Sequence, residues 1–281
     1  MYIDRVFKDT FYIEINGIKL RVYDSSREKE YANKTTLVFL HGSPGQISNW
    51  KYLINLFKKE YRVIAYDQRG YGLSDKPLFV SMNDYINDLK KLLNKLGLNE
   101  GDIVLIGHSF GGMVAQEYAA RYNIKGLVLI GSLTKLKPDL IDRIIWYLPP
   151  FLWRKILFTE NFLTRKVYRN LFFSKSTPDH VFYEFLNDNK GYLESSPPHM
   201  FRYLKYFREY DATETLRKIT CPTLIIVGKD DNVTPLSESK KIYELIRNSR
   251  LEIIGDAGHL ILYEKPNILY KLIGSFINSL T

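Results

Sequence analysis

Along the chain, short runs of apolar and β-branched residues alternate with longer stretches whose apolar positions recur every three or four residues. A strand buried on both faces reads as a continuous apolar run, whereas a helix lying on a sheet reads as a one-sided stripe. The alternation therefore predicts a mostly parallel sheet wrapped by helices, an α/β fold. Runs at 11–16 and 18–23 meet at Asn16-Gly17, a turn pair that predicts an antiparallel hairpin. Six further strands are predicted at 36–40, 62–66, 103–106, 126–130, 223–227 and 251–254. Helices are predicted over 81–96, 110–122, 237–246 and 260–277. The first of these carries Tyr85, Ile86, Leu89, Leu92, Leu93 and Leu96 as one stripe and stops at Gly97.

Between residues 133 and 220 the strand pattern disappears. A structureless connection of that length is uncommon in a compact domain, and the stretch contains amphipathic segments at 139–147, 161–172 and 198–210. A helical cap over 133–212 is therefore expected, inserted after the sixth strand into a core domain made of 1–132 and 213–281. Aromatic residues crowd this stretch. They predict an apolar inner face, with most of the rings packing the cap onto the core.

Composition narrows the function classes. A chain of 281 residues suits one large α/β domain with an insertion, or two small domains. The formal charge of +9 is spread through every segment with no nucleic-acid-binding module, so a solvated basic surface is expected and nucleic acid is not. Cys221 is the sole cysteine, which precludes an internal disulfide. The N-terminus has no apolar core of a secretory signal, and the run at 144–153 is broken by Pro149-Pro150 and too short to span a bilayer. A cytoplasmic protein without stable membrane insertion is expected. No His, Cys or carboxylate set has metal-ligand spacing, so neither metal nor cofactor is expected.

The strongest chemical signal is Gly107-His108-Ser109-Phe110-Gly111-Gly112, which follows the apolar run 103–106 and opens a helix. Strand, tight turn and helix are what a nucleophile elbow requires. Glycines at 107 and 111 remove Cβ atoms where strand and helix crowd the turn, so a strained serine can lift its Oγ above the sheet. The following helix N-terminus favours negative charge nearby. A histidine, His259, stands in Asp256-Ala257-Gly258-His259 after the last strand, where open α/β sheets place their ligands. Its ordinary pKa of about 6.5 suits proton transfer at neutral pH.

With these residues in the order Ser, Asp, His, the chain resembles the α/β-hydrolase superfamily over roughly residues 11–280. The branch is the one that includes many esterases, epoxide hydrolases, dehalogenases and proline iminopeptidases. The resemblance implies Ser109 as nucleophile, His259 as general base and a carboxylate to orient it. Two aspartates compete in Gly228-Lys229-Asp230-Asp231-Asn232-Val233-Thr234-Pro235. The family spacing, three after the glycine and four before the proline, selects Asp231 and leaves Asp230 as a solvated turn residue. The alternative place for the acid, after the preceding strand, holds Gly131-Ser132 and no carboxylate. Acyl transfer also needs preorganised donors for a tetrahedral oxyanion. The Phe110 backbone N–H can supply one, and the resemblance implies Ser43 of His41-Gly42-Ser43-Pro44-Gly45 as the other. His41 is expected to brace that loop, and Asp67 of Asp67-Gln68-Arg69-Gly70-Tyr71-Gly72 to fix a loop near the site. His108 in the elbow, His180 and His199 in the cap, and Asp256 as a loop-capping residue are set aside.

A serine at the elbow disfavours epoxide and haloalkane chemistry, which the family runs with an aspartate nucleophile. The expected reaction is hydrolysis of a carboxylic ester of a small or medium apolar substrate through an acyl-enzyme. The alternative is a proline iminopeptidase-type aminopeptidase, in which Glu184, Glu194 or Glu209 of the cap would pair with the substrate ammonium. Lactonase, C–C hydrolase and non-catalytic receptor readings remain open.

Overall fold

The computed structural model describes residue 7, residues 9–136 and residues 161–280. The segment expected at 139–147 and the apolar run at 144–153 lie outside these residues. Eight strands form one sheet in the order β1-β2-β4-β3-β5-β6-β7-β8. They are β1 (Phe11–Ile15), β2 (Ile18–Asp24), β3 (Thr36–Leu40), β4 (Arg62–Tyr66), β5 (Ile103–His108), β6 (Gly126–Ile130), β7 (Thr223–Gly228) and β8 (Ser249–Ile254). β1 and β2 pair antiparallel, as do β2 and β4, and every other pairing is parallel. Asn16 and Gly17 both take positive φ, 54° and 76°, the twist that a two-residue hairpin requires. β3, β5, β6 and β7 are buried along their whole length, which explains their uninterrupted apolar sequences.

The helices are α1 (Lys51–Phe57), α2 (Met82–Lys95), α3 (Phe110–Ala119), α4 (Phe162–Phe172), α5 (Asp179–Ser195), α6 (Thr213–Arg217), α7 (Leu236–Leu245), α8 (Ile261–Glu264) and α9 (Pro266–Asn278). A 3₁₀ helix, Pro198–Phe207, follows α5. Two groups pack separately: α1 with α8 and α9, and α2 and α3 with α6 and α7. Among the described residues no helix is long and apolar enough to cross a membrane.

Three elements depart from the sequence pattern. The helix expected over 260–277 is broken in two at Lys265, because Pro266 cannot donate a backbone bond and its ring crowds the preceding turn. Pro266 instead starts α9, a position where no donor is needed. The segment expected as a helix over 198–210 winds as the tighter 3₁₀ form. α5 escapes the pattern because Asn189 interrupts its apolar stripe of Phe182, Phe185, Leu186 and Leu193. That asparagine is buried, and it is satisfied by Asn49 Nδ2 at 3.1 Å and by the Phe185 carbonyl at 2.9 Å.

This topology positions the candidate site. β5 lies at the centre of the sheet between β3 and β6, and β7 and β8 follow on one side. The parallel strands β3, β5, β6, β7 and β8 therefore send their C-terminal loops to one rim. Those loops carry Ser43, Ser109, Gly131, Asp231 and His259.

Candidate active site

Ser109 sits between β5 and α3 with φ 52° and ψ −119°, a left-handed conformation that strains a residue with a side chain. The turn survives because its neighbours are glycines. A Cβ on Gly107 would lie 2.5 Å from the Gly111 carbonyl oxygen, and one on Gly111 would lie 2.1 Å from that of Leu40. The Ser109 N–H donates to the Ile130 carbonyl at 2.9 Å, tying the elbow to the end of β6. The Ser109 hydroxyl forms no hydrogen bond with His259 or any other described residue. Nucleophile and base are often loosely placed before substrate binds.

His259 and Asp231 are joined directly. Nδ1 of the imidazole lies 2.8 Å from Asp231 Oδ2, and both side chains are buried, at 5% and 1% exposure. A bond to a carboxylate assigns the proton to Nδ1 and leaves a lone pair on Nε2. Asp231 Oδ1 also accepts the N–H groups of Val233 at 2.9 Å and Thr234 at 2.8 Å. Burial pushes the Asp231 carboxyl up, but the His259 imidazole and the Thr234 donors outweigh it and hold the group below its ordinary range. The neighbouring Asp230 is exposed, and among the described residues its carboxylate takes only the Ser174 hydroxyl, at 2.5 Å. Asp256 is exposed too, with φ 51°.

His108 is a contact that the sequence does not reveal. Its Nε2 lies 2.9 Å from the His259 carbonyl oxygen, and the two rings are 4.7 Å apart. Burial, with the adjacent His259, pushes its pKa down to about 3, so it is neutral and its Nε2–H donates. His180 is exposed, and His199 bonds the Lys76 carbonyl at 3.0 Å.

The loop after β3 runs against the elbow. A Cβ on Gly42 would lie 3.2 Å from Ser109 Cβ. His41 is buried and holds the loop from both nitrogens: Nδ1–H donates to the Gly42 carbonyl at 2.7 Å, and Nε2 accepts the Gln68 N–H at 2.9 Å. Burial lowers its pKa, consistent with that neutral form. Asp67 accepts the N–H groups of Ile47 and Leu73, each at 2.7 Å, and pairs with buried Arg21 at 3.3 Å. It thus ties the 41–47 loop to the 67–73 loop. Ser43 Oγ meets the Tyr71 hydroxyl at 2.8 Å. Phe110 is the first residue of α3, so its N–H is one that helix geometry leaves without an internal carbonyl.

The chain between β6 and β7 also reaches this rim. The Phe172 carbonyl accepts the Leu260 N–H at 2.9 Å, and the Phe172 ring stands 6.2 Å from that of His259. A narrow cleft opens between α4 and α5, its apolar wall formed by Tyr168, Phe185, Leu186 and Leu193. Tyr168 lies 5.2 Å from Phe172, which places the cleft wall two rings from the imidazole. Glu184 is half-buried and already engaged: its Oε1 accepts Lys51 Nζ at 2.6 Å and the Tyr52 hydroxyl at 2.5 Å. Lys51 also bonds Asp188 at 2.6 Å, whose carboxylate accepts the Tyr263 hydroxyl at 3.0 Å as well. Glu209 is exposed beside Arg208 at 3.3 Å. Among the described residues no three His, Cys, Asp or Glu side chains are grouped to hold a metal ion.

Comparison with known proteins gives a consistent answer. The family described as the alpha/beta hydrolase fold matches residues 35–266. A proline iminopeptidase of Saccharolobus solfataricus is 31% identical, covering 98% of this chain and 93% of its own. Human epoxide hydrolase 4 is 29% identical over 93% of this chain and 79% of its own. Among solved structures, an esterase from Exiguobacterium antarcticum superposes with a TM-score of 0.79 at 25% identity, covering 95% of this chain and 98% of that one.

Proposed function

This chain belongs to the α/β-hydrolase fold family, and on that premise we propose that it is a serine hydrolase acting on carboxylic esters of small or medium apolar substrates. Ser109 is the nucleophile, His259 the general base and Asp231 the orienting acid, with the Ser43 and Phe110 N–H groups facing the oxyanion. The observation that carries the reading is the buried Asp231–His259 bond at the rim where the strained Ser109 stands. In this reading, residues 1–132 and 213–281 are the catalytic core and 133–212 the cap. The apolar cleft between α4 and α5 would take the acyl or alcohol group.

The reaction follows from the proton positions. Nε2 of His259 takes the Ser109 proton while Oγ adds to the ester carbonyl carbon, and the negative charge moves to the carbonyl oxygen. Collapse of that intermediate breaks the C–O bond, and the departing alcohol takes the proton from Nε2. Water then attacks the acyl-serine, giving its proton to His259. The second collapse releases the carboxylic acid and restores the Ser109 hydroxyl. Asp231 stabilises the imidazolium in both halves.

A second reading, aminopeptidase, is favoured by the Saccharolobus solfataricus relative's name. Against it, Glu184 is already neutralised by Lys51 and bonded to Tyr52, and Glu209 points to solvent beside Arg208. At Glu184 a substrate ammonium would have to displace Lys51. A side-by-side assay of p-nitrophenyl esters and proline-naphthylamide separates the two. Faster turnover of the esters is expected. Turnover of the proline amide alone, abolished by Glu184→Gln, would transfer the site to the aminopeptidase reading. Serine at position 109 sets the chain apart from an aspartate-dependent epoxide hydrolase.

A further inference from the structure

Asp231 Oδ2 accepts two donors, and only one of them is the imidazole. The Thr234 hydroxyl donates to the same oxygen at 2.8 Å, and its own oxygen stands 3.2 Å from His259 Nδ1. Thr234 also donates its N–H to Oδ1 at 2.8 Å, so one residue grips both carboxylate oxygens. Thr234 is 1% exposed. The end of β6 closes the fourth side: a Cβ on Gly131 would lie 3.1 Å from Asp231 Oδ2, 3.3 Å from His259 Nδ1 and 3.3 Å from Thr234 Oγ1. Glycine at φ 50° is therefore required beside this triangle.

We propose that Thr234 is a positioning residue of the acid–base pair, whose hydroxyl locks the Asp231 carboxylate and the His259 ring in one orientation. The proposal rests on the serine-hydrolase reading for its effect on turnover. A carboxylate held only by the imidazole can rotate about χ2 and offer either oxygen. The two backbone N–H groups on Oδ1 and the threonine hydroxyl on Oδ2 remove that freedom. The Nδ1–H then has Oδ2 as its principal acceptor and Thr234 Oγ1 as a longer second branch. Both branches keep the proton on Nδ1 and the Nε2 lone pair available to Ser109. Without the hydroxyl, a buried carboxylate lone pair loses its donor, and the ring loses the second branch.

The test compares Thr234→Val, nearly isosteric, with Thr234→Ser, which keeps the hydroxyl, in the full chain. Initial rates on p-nitrophenyl butyrate give kcat and KM, and the downfield proton NMR signal of His259 Nδ1–H reports the bond directly. T234V is expected to lower kcat about tenfold, the equivalent of one hydrogen bond's worth of orientation. KM should stay within about twofold, since Thr234 does not line the cleft, and the Nδ1–H signal should shift. T234S should recover most of the loss. Should T234V not fold, Thr234→Ala carries the same comparison. Unchanged kcat in T234V, or a T234S variant as impaired as T234V, would overturn the proposal. Failure of the unaltered protein to react with a fluorophosphonate at Ser109 would instead remove the serine-hydrolase reading, while the NMR signal would still report whether Thr234 holds the pair.

Discussion

The rim of the sheet and the connection between β6 and β7 are built on different principles. At the rim, short loops from adjacent strands present polar side chains to one another at hydrogen-bond distance, with Asp231, His259, His108 and Thr234 all buried. In the β6–β7 connection, α4, α5 and the 3₁₀ helix Pro198–Phe207 carry a run of aromatic contacts. Phe185 meets Tyr263 at 5.4 Å, and Phe207 meets Phe110 at 5.2 Å. Among its polar ties to the core is the Lys51, Glu184 and Asp188 cluster. Aromatic packing tolerates exchange of one ring for another, whereas a hydrogen-bonded relay depends on single atoms. Substitutions at the rim should therefore cost activity with little stability, and substitutions in the connection the reverse.

The largest effect expected is at the elbow. Ser109→Ala should lower ester turnover by up to roughly 10⁶ while leaving the thermal midpoint in place, as read from p-nitrophenyl ester rates beside a melting curve. Substantial residual turnover would place the nucleophile elsewhere. Next, Asp231→Asn should cost roughly 10⁴ in kcat, because an amide in that place favours the wrong imidazole tautomer. Asp230→Asn should stay within about threefold, since that carboxylate is exposed and bonds Ser174 rather than the imidazole. A reversed ranking would exchange the two roles.

A smaller loss is expected at His108. His108→Phe keeps a ring but removes the donor to the His259 carbonyl, and kcat should fall about tenfold. His108→Gln, which can still donate, should recover part of it. Equal losses in both variants would make the ring's packing the cause. The connection supplies the contrast. Lys51→Met leaves Glu184 and Asp188 without their shared cation and should destabilise by about 2 kcal/mol, between exposed and fully buried pairs. That corresponds to a thermal midpoint lower by about 5 °C with kcat nearly unchanged. A large loss of kcat with no change in melting would erase the distinction between the two regions.

The same contrast explains what could be read from the sequence. The eight strands stand within two residues of their expected positions, and for β3, β5, β6 and β7 the reason is that a strand buried on both faces must be apolar throughout. The elbow was legible for a similarly local reason, since Gly107, Ser109 and Gly111 report a strained turn by their spacing alone. Asp231 and His259 were readable only as candidates in neighbouring loops, and the structure brings them to 2.8 Å. The contacts of Thr234 and His108 were not legible, because nothing local marks a threonine or histidine that faces another loop across the rim. Lys51 was silent for the same reason: its partners are more than 130 positions away in the chain. In the connection, a polar core residue at Asn189 concealed α5, and Pro266 divided a helix whose apolar stripe runs on without a break.

The most direct measurement is the mass of the protein after treatment with a fluorophosphonate, followed by peptide mapping of the adduct. The account predicts a single adduct on Ser109 that vanishes in Ser109→Ala and forms far more slowly in Asp231→Asn. An unmodified protein, or an adduct carried by any other residue, would contradict it.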